Sequence, residues 1–134
     1  MGFNDFRNPH YGDATLQNRM NTDARKGNIA TTEVDDANYT LSKNDFLVAY
    51  TALTAARVVT VPEGSTMIGS GPGNRRKAFI IKDEAYAAGT HNITINLSGS
   101  DTFAGGATSI TLNSNGAHTH FYTNGGTVWH TLFV

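Results

Sequence analysis

The stretch HNITINL, residues 91–97, decides the class of fold. Ile93, Ile95 and Leu97 alternate with Asn92, Thr94 and Asn96, so an extended chain here has one apolar face and one polar face. Residues 108–112 repeat the pattern with Ile110 and Leu112. Working outward, residues 38–41, 46–51, 57–61, 77–83, 117–123 and 127–133 are further β-branched or aromatic runs. Pro62, Gly64 and the glycine-rich stretch 69–74 break them. Asn124-Gly125-Gly126, set between two runs, is a strong hairpin signal. The runs recur at intervals of roughly ten residues with no helical stretch between them. This predicts an all-β fold, an antiparallel β-sandwich or jelly-roll-like barrel.

Composition agrees. The chain has 134 residues, the size of one domain. Charged residues make up 16%, where about 25% is usual. Thr, Asn and Gly take their place, and they favour strands and turns over surface helices. A formal net charge of -1 gives no basic balance for nucleic acid. With no cysteine, disulfides, cysteine zinc sites and thiol catalysis are excluded. No apolar run approaches the ~20 residues of a membrane-spanning helix. Residues 1–13 carry no apolar signal region, so a chain made without export is expected.

Residues 1–33 differ from the rest. They are polar, with aromatics at Phe3, Phe6 and Tyr11, and their apolar positions hold no period for long. A short helix over residues 13–20, with Asp13 as N-cap, is too short to stand alone. The segment reads as an extended N-terminal arm ahead of a domain at 34–134. An arm that cannot bury itself must find a partner to become ordered. Phe3, Phe6 and Tyr11 suit it as docking anchors. Arg7, Arg19, Arg25 and Lys26 suit an acidic surface.

The domain also resembles a known family. Tyr-Thr-Leu-Ser-Lys-Asn-Asp at 39–45, with Val48 and Tyr50, leads to Arg-Val-Val-Thr-Val-Pro at 57–62. Then follow Arg75, Arg76 and Phe-Ile-Ile-Lys-Asp at 79–83, Asn-Ile-Thr-Ile at 92–95, Asp101-Thr102, Phe-Tyr-Thr-Asn-Gly at 121–125, and Trp129. In this order they resemble a β-module recurrent in surface proteins of tailed-bacteriophage virions: capsid decoration (cement) proteins and tail or head fibres. The likeness spans residues 38–130. It departs at Val61, where leucine is usual, and at residues 84–89, longer than the usual glycine turn. The resemblance implies a homotrimeric β-sandwich on the virion.

Catalytic and metal patterns are sparse. His118 and His120, two apart on a strand, point to one face, a workable metal pair that lacks a third ligand at nearby spacing. A polar strand face explains them without metal. Asp35-Asp36, Asp83-Glu84 and Asp101 sit at turns or strand ends, where aspartate accepts backbone N–H groups. Adjacent carboxylates on a strand point apart and do not form a glycosidase pair. No nucleophile elbow surrounds any serine. Gly69, Gly71, Gly73 and Arg75-Arg76-Lys77 do not match a phosphate loop, which needs Lys then Ser or Thr. Asn38, Asn92 and Asn96 open N-x-Ser/Thr triplets that belong to a solvated strand face. Tyr86 and Tyr122 are the candidates for a glycan platform. Trp129, Phe121, Phe103 and Phe79 read as core or subunit interface.

Taken together, the residues and the resemblance lead to the expectation of a non-enzymatic virion protein with no cofactor and no metal. It would be a capsid decoration protein on the capsid surface. Its arm (Phe3, Phe6, Arg7, Tyr11, Arg19) would dock on the major capsid protein, and its trimer would close near Trp129 and Phe133. The competing expectation is a head- or tail-fibre tip that recognises host glycan.

Overall fold

The computed structural model describes residues 28–68 and 76–133. Among them the alternating runs become strands: β1 Thr31–Asp35, β2 Tyr39–Thr40, β3 Leu47–Ala52, β4 Arg57–Val61, β5 Lys77–Asp83, β6 Ile93–Leu97, β7 Thr102–Phe103, β8 Ser109–Leu112, β9 His118–Thr123 and β10 Val128–Phe133. One helical turn, α1 Gly64–Met67, follows β4. The strands form a six-stranded sheet, β1-β3-β5-β9-β10-β7, and a four-stranded sheet, β2-β4-β6-β8.

The chain changes sheet at every step from β1 to β9. Consequently β1, β3 and β5 are parallel neighbours, as are β2, β4 and β6. The first six strands wind as a flattened coil. The pairs β6–β8, β5–β9 and β9–β10 are antiparallel, and β7 joins β10 in parallel. The fold is thus nearly all-β and sandwich-like, but the antiparallel expectation is corrected: both sheets are mixed. A parallel pair needs a long crossover, commonly a helix. Here each crossover between the early parallel strands passes through the opposite sheet, so parallel pairing needs no helix. The Asn124-Gly125-Gly126 signal does close the β9–β10 hairpin, with Gly125 at φ 94°.

β1 begins inside the stretch read as arm. Its alternation is hard to see because Val34 is its one buried apolar residue, while Thr31, Glu33 and Asp35 are exposed.

The inner faces meet in one apolar core. The four-stranded sheet gives aliphatic residues: Val59, Val61, Ile93, Ile95 and Leu112. The six-stranded sheet gives rings as well: Tyr50, Phe79, Phe103, Phe121 and Trp129. The Trp129 ring lies 5.6 Å from Phe121 and 6.1 Å from Phe79. Such tilted contacts add about 1 kcal/mol each beyond area burial. Among the described residues no helix is long and apolar enough to cross a membrane.

Candidate functional site

Of the candidate acids, Asp36, Asp83 and Asp101 each hold a loop. Asp101 is buried, and its Oδ2 accepts the Trp129 Nε1–H at 2.9 Å and the Gly64 N–H at 2.7 Å. That bond draws α1 onto the β9–β10 hairpin. A Cβ on Gly64 would stand 2.5 Å from Thr123 Oγ1 and 2.6 Å from the Gly126 carbonyl oxygen, so glycine is needed for the approach. Asp83 ends β5 and its Oδ2 accepts N–H groups from Ala87, Ala88 and Gly116 at 2.9, 2.8 and 3.0 Å. Asp45 accepts the Thr32 hydroxyl at 2.6 Å, the Tyr39 hydroxyl at 2.7 Å and the Ser42 N–H at 2.8 Å. Burial, and then the bond to Asp45, pushes the Tyr39 hydroxyl above its ordinary pKa. Burial holds the Tyr50 hydroxyl up at about 12 while it donates to the Ala37 carbonyl at 2.9 Å.

Asp36 turns the chain after β1 at φ 54°. It is bonded by the Thr54 hydroxyl and N–H, and by Arg57 at 3.0 Å. The Thr54 bonds, then Arg57, lower its pKa to about 2. The expectation that aspartates at strand ends accept backbone N–H groups therefore holds for Asp36, Asp83 and Asp101.

The outer faces of the two sheets remain. On the four-stranded sheet, Thr40, Thr60, Asn96 and Ser109 are register partners across all four strands, and Val58, Thr94 and Thr111 form the next row. This face is small, uncharged and almost wholly polar. On the six-stranded sheet, one row reads Thr31, Leu47, Ile80, His120. The next reads Glu33, Ala49, Lys82, His118. A third joins Ala78, Tyr122 and His130. Phe46 meets His120 edge-on at 6.3 Å, and Tyr122 stacks on His130 at 5.3 Å. On β10, Val128 is 40% and Leu132 53% exposed. This second face, apolar and aromatic with histidines, is the candidate functional surface.

His118 and His120 do share a face, His118 exposed and His120 half-buried against Phe46. Among the described residues no three of His, Asp and Glu gather as a metal-ligand set. Trp129 has no exposed surface and belongs to the core of its own chain, so it has none to offer a second subunit. Phe133 ends β10 in register with His120, and its side chain lies outside the described residues. Phe3, Phe6, Arg7, Tyr11, Arg19, the helix expected at 13–20 and the loop at 69–75 also lie outside them. Sequence reasoning passed over Leu47 and Ile80 as outward-facing residues, whereas the alternation of Val128, His130 and Leu132 with Trp129, Thr131 and Phe133 already makes both faces of the last strand partly apolar. The available signal was apolar character on both parities, in Phe-Leu-Val-Ala at 46–49 and Ala-Phe-Ile-Ile at 78–81. A cleft of about 300 Å³ beside β8, lined by Thr111, Leu112, Asn113, Ser114, Ala117 and His118, has one titratable group. No protein-family model and no curated protein matches the chain.

Proposed function

We propose that this chain is a structural virion protein of a tailed phage, a capsid decoration (cement) protein on the capsid surface. In this reading the domain forms a homotrimer. The segment ahead of β1, with Phe3, Phe6, Arg7, Tyr11 and Arg19, docks on the major capsid protein. Binding only the assembled shell would stabilise it by mass action.

The observation that carries the reading is where the resembling motifs lie. The Tyr39–Asp45 motif contains both partners of a partly buried hydrogen bond. The Phe79–Asp83 motif ends on the carboxylate that binds three backbone N–H groups. Asp101 and Trp129 are bonded to each other. The shared residues are thus the frame of the fold, which supports a shared module. Asp36, Asp45 and Asp101, and Asp83 through its Oδ2, are hydrogen-bonded within that frame, which favours a structural role over hydrolysis, although Asp83 Oδ1 is buried without a hydrogen-bond partner among the described residues.

Co-sedimentation with empty capsids tests it, using the full chain and a variant of residues 28–134, which keeps β1 whole. Saturable binding by the full chain, lost in the truncation with an unchanged melting temperature, supports the reading. Absence of capsid binding by the full chain sinks it. The fibre-tip reading has one observation in its favour: Tyr86, 69% exposed at φ 59°, is an aromatic ring presented to solvent beside Gly116. Glycan-array binding lost in Tyr86→Ala would favour that reading instead.

A further inference from the structure

We propose that the outer face of the six-stranded sheet is where copies of this chain meet, with the Glu33 flank of one against the Lys82–His118 flank of the next. This deepens the trimer in the reading above by naming the surface.

The four-stranded sheet is the internal control. Both sheets obey the same inward alternation, and a sheet needs only polar residues on a face left to water. The four-stranded sheet follows that rule with Thr, Asn and Ser. The six-stranded sheet departs from it with the register pairs Leu47–Ile80 and Ala78–Tyr122, and with the exposed Val128 of β10. These neither fill the core nor complete a described cavity. Leu47, Ala78, Ile80 and Tyr122 are half-buried and Val128 is exposed, and apolar residues gathered on an outer face mark an interaction surface.

The charges choose the occupant. Along the row Glu33, Ala49, Lys82, His118, the acid sits at one end and the bases at the other. Glu33 and Lys82 are separated by β3, about 9.5 Å across two strand spacings, too far to pair within the chain. The Arg57–Asp36 ion pair lies at the turn that follows β1. Lys82 Nζ donates to the Gly116 carbonyl and has further protons to give. A second copy presents the same row, so its acidic end meets the basic end of the first. Head-to-tail contacts of this kind close into rings such as trimers where the rotation between copies closes, and run on as filaments where it does not. The sheet also leaves room for a neighbour: β7 pairs with β10 only at Val128 and Trp129, so the far edge of β10 beyond them has no described strand beside it.

The test is mass by sedimentation velocity and light scattering across a dilution series of the full chain. Wild type is expected to be oligomeric. Ile80→Lys should give monomer with an unchanged β-sheet spectrum and a melting temperature near wild type. Glu33→Lys should weaken association by roughly tenfold, and the double variant Glu33→Lys/His118→Glu should recover most of that loss. Thr60→Lys, on the other sheet, should leave the mass unchanged. Monomeric wild type at all concentrations overturns the proposal, as does a folded Ile80→Lys variant with wild-type mass. Capsid binding by a monomeric wild type would overturn the proposal and the trimer of the cement reading, while leaving its capsid docking intact. Self-association through this face without capsid binding would support it and sink the cement reading.

Discussion

The two outer faces of this sandwich sit on sheets that share one core, yet they are built from different residues. One is a ladder of Thr40, Thr60, Asn96 and Ser109. The other sets Leu47, Ile80 and Tyr122 among three histidines. Folding makes the same demand of both, an apolar inner face and a tolerable outer one. The difference between them therefore reports something other than folding. The inner faces differ in the same sense, aliphatic under the polar ladder and aromatic under the histidine face.

The hardest blow to this comparison would come from beneath the histidine face. Trp129→Ala removes the ring that supports β9 and β10 and should cost about 4 kcal/mol, read by denaturant unfolding. A loss below 1 kcal/mol would mean the aromatic layer is not what holds that face. Next is Asp101→Ala, which strands the buried Trp129 Nε1–H and the Gly64 N–H. It should cost about 2 kcal/mol, with faster hydrogen exchange at Gly64 as its signature.

Acid titration probes the turn behind β1, which feeds the histidine face. Asp36, with its pKa depressed to about 2, stabilises the fold above the ordinary carboxylate pKa. That contribution is present above about pH 4 and is lost as pH falls towards 2. Asp36→Asn should therefore lower stability near neutrality and flatten its decline between those values, followed by fluorescence. Smallest of all, Thr60→Val and Thr111→Val on the polar ladder should move stability by no more than about 0.5 kcal/mol. A larger loss would show that this ladder is more than a solvated surface.

Much of the frame was legible. The alternations around Ile93–Leu97 and Ser109–Leu112 predict strands that exist, and the glycine turn at 124–126 predicts the hairpin that forms. Strand direction was not legible, because alternation looks the same whichever way the neighbour runs. β1 was hidden by having one buried apolar residue, Val34, and β7 by having two residues in all. Asp83 and Asp101 could be read as turn residues, since aspartate at a strand end accepts N–H groups. Their partners, as distant in sequence as Gly116 and Trp129, could not be read. The histidine face was half visible: His118 and His120 on one side of β9 follow from spacing. Their apolar neighbours come from strands whose order only the fold supplies.

The switch from sheet to sheet at each early strand also bears on how fast the chain reaches its folded form. Among the described strands, only β9 and β10 are adjacent both along the chain and within a sheet. Every other ladder must wait for a loop that carries a strand of the opposite sheet. Chains dominated by such distant pairings fold in milliseconds to seconds, not microseconds. The β9–β10 hairpin is then the natural nucleus. Slow closure of the rest leaves the apolar residues of both sheets in water for longer, a hazard that the glycine turn at its tip helps to shorten.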